Sequence, residues 1–545
     1  MRRIAPAAVL ALLLCACGGG TSGGDAADVP DAGDPGVDVP GDPGAPEDPG
    51  VRDEGDDPDA PPDASPDVPA DEGPGPDVPA DVPDVPADVP PPPLWEGLAP
   101  AGGGPLNSIV GVASHMSVAA GEDVERAFEL ASYQEFSGFR IRRGMRWNVV
   151  EPAQDDWQWD RVSGGPTDSH AAGIRFMPML AYGNKWAQTD PEIYGTVNIA
   201  DYADYAGHMA AQFCDKAKDY EIWNEQDTER FWHMTPDPEK YADLLIASSA
   251  AIRAACPDAR VVFGGITSYG ELDMWDRWLF LRLALQARPA LCTAMDAVAL
   301  HPYTWFQYDS PEHDEVLTET AAKDGQSAMT RIAREILADA GCGDMPLLFT
   351  ELGWPTYDLT ESQVARFAVR SLLLAARDGV EGWYWYTFWD DPPESGGIRP
   401  HENHFGLWHW PGEDGTRREA KPAWFALKAA DQVLGHHRFA RDLGPALGLP
   451  NDVYALAFVD DDGGIALALW DGREMPDVRL DGEDAGGPDT TYALDLPLPD
   501  CATATRGFDM DGQPLDPLPA GTTVALTLTP AVQYLVIDCG APRDR

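Results

Sequence analysis

Two glutamates stand where short β-rich runs of the chain end: Glu225 closes EIWNEQD and Glu351 lies inside LLFTELGW. A lone strand-end glutamate is unremarkable, but these two are flanked by aromatics and by polar partners. Paired carboxyls suit the cleavage of a glycosidic bond. One gives a proton to the leaving oxygen, and in a retaining reaction the other attacks the anomeric carbon from about 5–5.5 Å away. The acid must hold its proton before the first step and the nucleophile must be ionised, so their surroundings have to differ. This chemistry calls for no cofactor and no metal.

Residues at such distant positions meet only if the fold brings strand ends together. Between 108 and 391 the chain alternates β-rich runs with helical stretches, the mark of successive βα units. The runs are 108–115, 138–145, 174–182, 220–225, 260–267, 295–303, 346–354 and 380–389. Several are continuously apolar, as strands buried on both faces must be. Tyr241, Leu244, Leu245, Ser248 and Ile252 have helical spacing, and Thr360 with Gln363 forms a capping box. Eight units predict an α/β fold, a closed (β/α)8 TIM barrel, with its active site at the C-terminal strand ends. From about His436 the helical pattern gives way to runs such as YALAFV, IALALW, TVALTLT and QYLVID, predicting a small C-terminal β-sandwich.

The expected division is a lipoprotein signal peptide at 1–17, a disordered linker at 18–93, the barrel at 94–435 and the sandwich at 436–545. Arg2 and Arg3, a short apolar run and Leu14-Cys15-Ala16-Cys17 read as a signal peptide with a lipobox. Cys17 would carry the lipid, and the protein would be exported and anchored to a bacterial membrane, at the outer membrane or cell surface. Residues 18–93 hold 21 acids against Arg52, 20 of the 51 prolines and no aromatic residue. Such a segment cannot bury enough apolar surface to offset its ordering entropy. Extended at about 3.1 Å per residue, it is a tether of roughly 200 Å.

The rest of the chain still carries 70 acidic and 35 basic residues. That balance argues against nucleic acid and, more weakly, against a polyanionic substrate. Six cysteines remain after Cys17. Cys214, Cys256, Cys292 and Cys342 each precede a strand, which suggests Cys214 with Cys256 and Cys292 with Cys342 at the bottom of the barrel, leaving Cys501 with Cys539. HENH at 401–404 and the aspartates at 460–462 and 509–511 lack the spacing of a metal site.

The pattern resembles the clan A glycoside hydrolases, in which an Asn-Glu pair ends strand four and a Glu ends strand seven. Asn224-Glu225 is similar to the pair and TELGW to the nucleophile segment. The resemblance implies Glu225 as acid/base, Glu351 as nucleophile and Asn224 as donor to the sugar 2-hydroxyl. His301-Pro302-Tyr303 resembles the clan's His-x-Tyr, with the Tyr holding the nucleophile and the His lining the acid/base side. Arg142 resembles the strand-two arginine that keeps the nucleophile ionised, with Arg140 and Arg143 as rivals for that position.

MRWNVVEP, HFGLW, KPAWFAL and the trailing β domain are similar to family 39 over roughly residues 105–545. That family implies retaining hydrolysis of β-xylosides, uronides or exopolysaccharides. His115, Tyr182, Asn184, Trp186, Trp305, Trp354, Trp385 and Trp389 are candidate sugar-subsite residues. The clan places Trp385 or Trp389 beneath the sugar, whereas for any other single tryptophan core packing is the better bet. The competing expectation is a surface lectin on a glycosidase barrel, whose usual mark, a missing catalytic carboxylate, is not seen here.

Overall fold

The computed structural model describes residues 93–539 except 269, 273–277, 305–309, 313–324, 358, 394–399, 413–414, 474–489 and 516–520. Cys17, the signal segment, the linker up to residue 92 and Trp305 lie outside the described residues.

Eight parallel strands close into a barrel in sequence order. They are β1 Val110–Ala113, β2 Arg140–Arg146, β3 Arg175–Ala181, β4 Asp219–Ile222, β5 Arg260–Thr267, β6 Ala297–His301, β7 Leu347–Leu352 and β8 Gly382–Tyr386. Each falls inside, or within a residue of, a run read from the sequence. β1 pairs with β8 through Val112 and Trp385, which seals the ring. Met177, Val262, Ala297, Ala299, Leu348 and Tyr384 fill its interior as a separate buried cluster, a packed core rather than a pore.

Helices cover the outside. The helix Pro238–Ala255 buries Tyr241, Leu244, Leu245, Ser248 and Ile252 on one stripe. The helix Glu361–Arg377 opens on the Thr360–Gln363 capping box. Three disulfides, Cys214–Cys256, Cys292–Cys342 and Cys501–Cys539, pair the cysteines as their strand positions suggest. The first two join segments that enter β4 and β5, and β6 and β7, at the end opposite the mouth.

After the barrel come β9 Arg438–Asp442, β10 Val453–Val459, β11 Ile465–Asp471, β12 Tyr492–Pro497, β13 Ala502–Phe508, β14 Thr523–Leu528 and β15 Gln533–Cys539. Five form an antiparallel sheet in the order β13-β15-β11-β10-β9, and β12 pairs with β14. Both sheets contribute to one apolar cluster that includes Leu467, Leu469, Leu494, Leu496 and Leu528. Leu94, Trp95 and Leu98 pack against that same cluster, and the Ala101 N–H donates to the Phe439 carbonyl. The stretch before β1, read from the sequence as part of the barrel, therefore lies along the C-terminal sheets. The Asp460 carboxylate accepts the N–H groups of Asp462 and Gly464, so it caps a hairpin turn.

Candidate active site

Strand β4 ends at Ile222, and the chain leaves it through Trp223 (φ 72°) and Glu225 (φ 49°), two left-handed non-glycine residues. Such backbone costs about 1–3 kcal/mol per residue and persists only where its surroundings fix it. Here the Glu225 N–H donates to the Gly265 carbonyl at 2.7 Å, and the Glu225 carbonyl accepts from the Thr228 hydroxyl at 2.9 Å. This aims Glu225 into the mouth of the barrel. Glu351, in β7, meets it there. Glu225, His301 and Glu351 are all buried, and one oxygen or nitrogen from each lies within 4.8 Å of the others. Among the described residues, this is the group whose donor atoms stand close enough to hold a metal ion.

Alternation along β2 sets Arg143 apart from Arg140 and Arg142, which share a face, and depth along the strand leaves Arg142 to serve the site. Arg142 donates to Glu351 Oε1 through Nη1 and grips Glu221 through Nε (2.5 Å) and Nη2 (3.0 Å). Nη2 also donates to Asn224 Oδ1 at 2.6 Å. Burial opposes the Arg142 charge, but Glu221 and Glu351 outweigh it and hold the guanidinium above its ordinary range. Arg140 instead donates to the Ser108 carbonyl and Arg143 to the Met116 carbonyl.

Glu221, overlooked in the sequence, is the buried anchor of the site. Besides Arg142 it accepts the Gly265 N–H at 2.9 Å and the Thr350 hydroxyl at 3.2 Å. Thr350 in turn lies 3.1 Å from His301 Nε2, and His301 Nδ1 lies 2.8 Å from Glu225 Oε1. Burial, reinforced by Arg142, holds His301 well below the usual histidine range, so its ring is neutral and carries one N–H. Because the Thr350 proton is spent on Glu221, its oxygen accepts from His301 Nε2–H. Nδ1 is then a lone pair, and its contact with Glu225 is a hydrogen bond when Glu225 carries the proton.

Close approach explains the glycine pair of β5. A Cβ on Gly265 would sit 2.1 Å from His301 Nε2, and one on Gly264 would sit 2.2 Å from the Ile222 carbonyl. A double glycine inside a strand was the available signal. On the other side of Asn224, its Nδ2 donates to the Tyr182 hydroxyl at 3.3 Å, and Tyr182 stacks on Phe231 and Tyr194. His115 meets Tyr386 edge-on at 5.4 Å. Tyr303 and Tyr386 are buried with Ala113 and Phe405, the last carried in by the HFGLW segment.

The tryptophans expected beneath the sugar are not at the mouth. Trp385 is fully buried, donates to the Phe405 carbonyl and packs between Trp354 and Trp383. Alternation in β8 turns Tyr384 and Tyr386 inward and Trp383 and Trp385 toward the helices. Trp389 stacks on Phe128 and donates to Glu129 Oε1. Trp186 and Asn184 both donate to the Glu151 carbonyl, which pins the loop after β2, and Trp354 donates to Thr304 in the core. The aromatics turned inward at the end of β8 are Tyr386 and, packed against it, Phe405.

No protein-family model matches the chain, and no curated relative matches it. Solved structures do. A family 39 glycoside hydrolase from Bacteroides cellulosilyticus WH2 is similar at TM-score 0.60 and 21% identity, covering 80% of this chain and 81% of that chain. A monomeric beta-xylosidase from Caulobacter crescentus CB15 gives 0.58 and 17%, covering 81% of this chain and 97% of that one. A GH39 enzyme from Xanthomonas axonopodis pv. citri gives 0.55 and 18%, with coverages of 81% and 96%. The likeness extends to a GH30 endoxylanase from Clostridium papyrosolvens C71 at TM-score 0.53 and 10% identity. In fold, the chain resembles the clan A glycoside hydrolases of families 39 and 30.

Proposed function

We propose that the chain is a retaining glycoside hydrolase, family 39-like, with Glu225 as acid/base and Glu351 as nucleophile. The observation that carries this reading is the spacing of the two carboxyls, whose oxygens come within 4.8 Å with His301 between them. Retaining pairs stand about 5–5.5 Å apart, whereas inverting pairs leave about 6.5–9.5 Å for a water.

In the first step Glu225 gives its proton to the glycosidic oxygen while Glu351 attacks the anomeric carbon, forming a glycosyl ester and releasing the aglycone. In the second, Glu225 takes a proton from water, and the water oxygen displaces Glu351. The partners divide these roles. Arg142, fixed by Glu221, sits on Glu351 and stabilises a carboxylate; the neutral His301 accepts at Glu225 and favours the acid. Asn224 bridges the two halves and offers its amide to the sugar, and the clan resemblance assigns Tyr303 to hold Glu351.

The substrate on this reading is an extracellular poly- or oligosaccharide. The protein is exported, lipidated at Cys17 and held to the membrane by the acidic, proline-rich tether, with the C-terminal sheets forming a β-sandwich that supports the barrel. The test is a pair of variants assayed on aryl glycosides. Glu351→Gln should lower kcat/KM by about 10³-fold or more, and Glu225→Ala should lose a comparable factor that azide partly restores on activated substrates. Full activity in both variants would refute the assignment.

A further inference from the structure

One cation at the mouth has no part in that chemistry. Arg146 ends β2, and because alternate residues of a strand share a face, it stands on the same side as Arg142, two residues further out. The strand register sets it beside Ala181 at the end of β3. That position sets Arg146 on the β1–β3 side of the mouth, and its charge bears on His115, Arg143 and Tyr182.

The neighbouring arginines are all engaged. Arg140 and Arg143 hold backbone carbonyls, and Arg142 holds Glu221 and Glu351. Arg146 is exposed, and among the described residues its guanidinium meets no carboxylate at ion-pair distance and no hydrogen-bond acceptor. In a chain with 91 acidic and 38 basic residues, partners for a cation are abundant, so an unengaged arginine over the mouth calls for an explanation.

The rest of this rim supplies donors. Burial, then Arg143, Arg146 and Arg142, push His115 down to about 3, leaving a neutral ring. Burial, then Glu351 and Glu225, raise Tyr182, so it keeps its proton; its oxygen accepts from Asn224, and its O–H remains to donate. Of the carboxylates of the mouth, Glu225 follows β4, which pairs with β3, and Glu351 lies in β7 and is held by Arg142.

We propose that Arg146 receives an anionic substituent, a carboxylate or a sulfate, on the sugar bound beside β1–β3, which makes acidic glycosides the preferred substrates. This rests on the glycosidase reading above. The planar guanidinium fork matches either group with two parallel hydrogen bonds. An acidic exterior repels an extended polyanion, but beyond a screening length of about 8 Å one acidic group inside the mouth answers to Arg146 rather than to the net charge.

The test compares the full chain with Arg146→Gln and Arg146→Lys on matched oligosaccharides, neutral or bearing a uronic acid or a sulfate. Binding is read on a glycan array and product release by mass spectrometry. The wild type should favour acidic members at least tenfold, R146Q should cut that ratio at least tenfold, and R146K should restore part of it. The uronic acid and sulfate arms show which anion is taken. A wild-type ratio near or below one, or a ratio unchanged in R146Q, overturns the proposal. Acid-selective binding that depends on Arg146 but yields no product would sustain this site and refute the glycosidase reading. Release from neutral members alone would do the reverse.

Discussion

At the scale of single residues, the proposed chemistry turns on where one proton sits. Glu221 accepts from Arg142, Gly265 and Thr350, and by fixing the Thr350 hydroxyl it fixes which nitrogen of His301 faces Glu225. Thr350→Val removes that lock at little cost in volume. His301 can then turn Nδ1–H toward Glu225 and favour the carboxylate. Because a hydrogen bond to the protonated form is replaced by one to the ionised form, the alkaline limb of the pH–rate profile should move down by on the order of one pH unit. A profile that keeps its alkaline limb in T350V would break the relay. Little of this was legible beforehand. Glu225, Glu351 and His301 announced themselves at strand ends, but Glu221 sits inside the apolar run of β4 and shows its role only when β2 and β5 are beside it. Arg142 could not be told from Arg140 and Arg143 in RIRR, because Arg140 shares its face and which face and depth reach the mouth depends on where the strand starts.

At the scale of elements, β5 is the strand with least latitude. Its glycine pair lets the Glu225 turn and His301 approach the backbone, and the pairing with β6 shifts register between Phe263 and Ile266. Gly265→Ala would place a methyl group against His301 and Thr350. Displacing a catalytic group by about 1 Å costs about 10²-fold, so kcat/KM should fall by that order in a protein that still unfolds cooperatively in denaturant. Unchanged kinetics in G265A would mean that His301 has room the geometry denies it. Continuous apolar runs made several of the eight barrel strands readable, and their regular alternation with helical stretches marked the others. The strands that escaped notice were β9, whose positions are all half-buried, and β12 and β13, where exposed positions interrupt the buried ones and leave no continuous apolar run. The run of β8, GWYWYTFW, misled for the opposite reason: with aromatics at nearly every position, nothing in the sequence marked which of them face the mouth.

At the scale of the whole molecule, each layer serves the same opening. Disulfides and helix entries stabilise the closed end, the C-terminal sheets and the residues before β1 share one apolar cluster, and the polar groups converge at the mouth. On the proposal for Arg146, an acidic protein would keep one local cation at the mouth apart from its long-range charge. The central claim is that two carboxyls this close act by double displacement, and the configuration of the first product reports on it directly. Proton NMR of an aryl or oligosaccharide glycoside during the first minutes of hydrolysis, before mutarotation, should show the sugar released in the anomeric configuration of the substrate. Initial release of the opposite anomer would contradict the account.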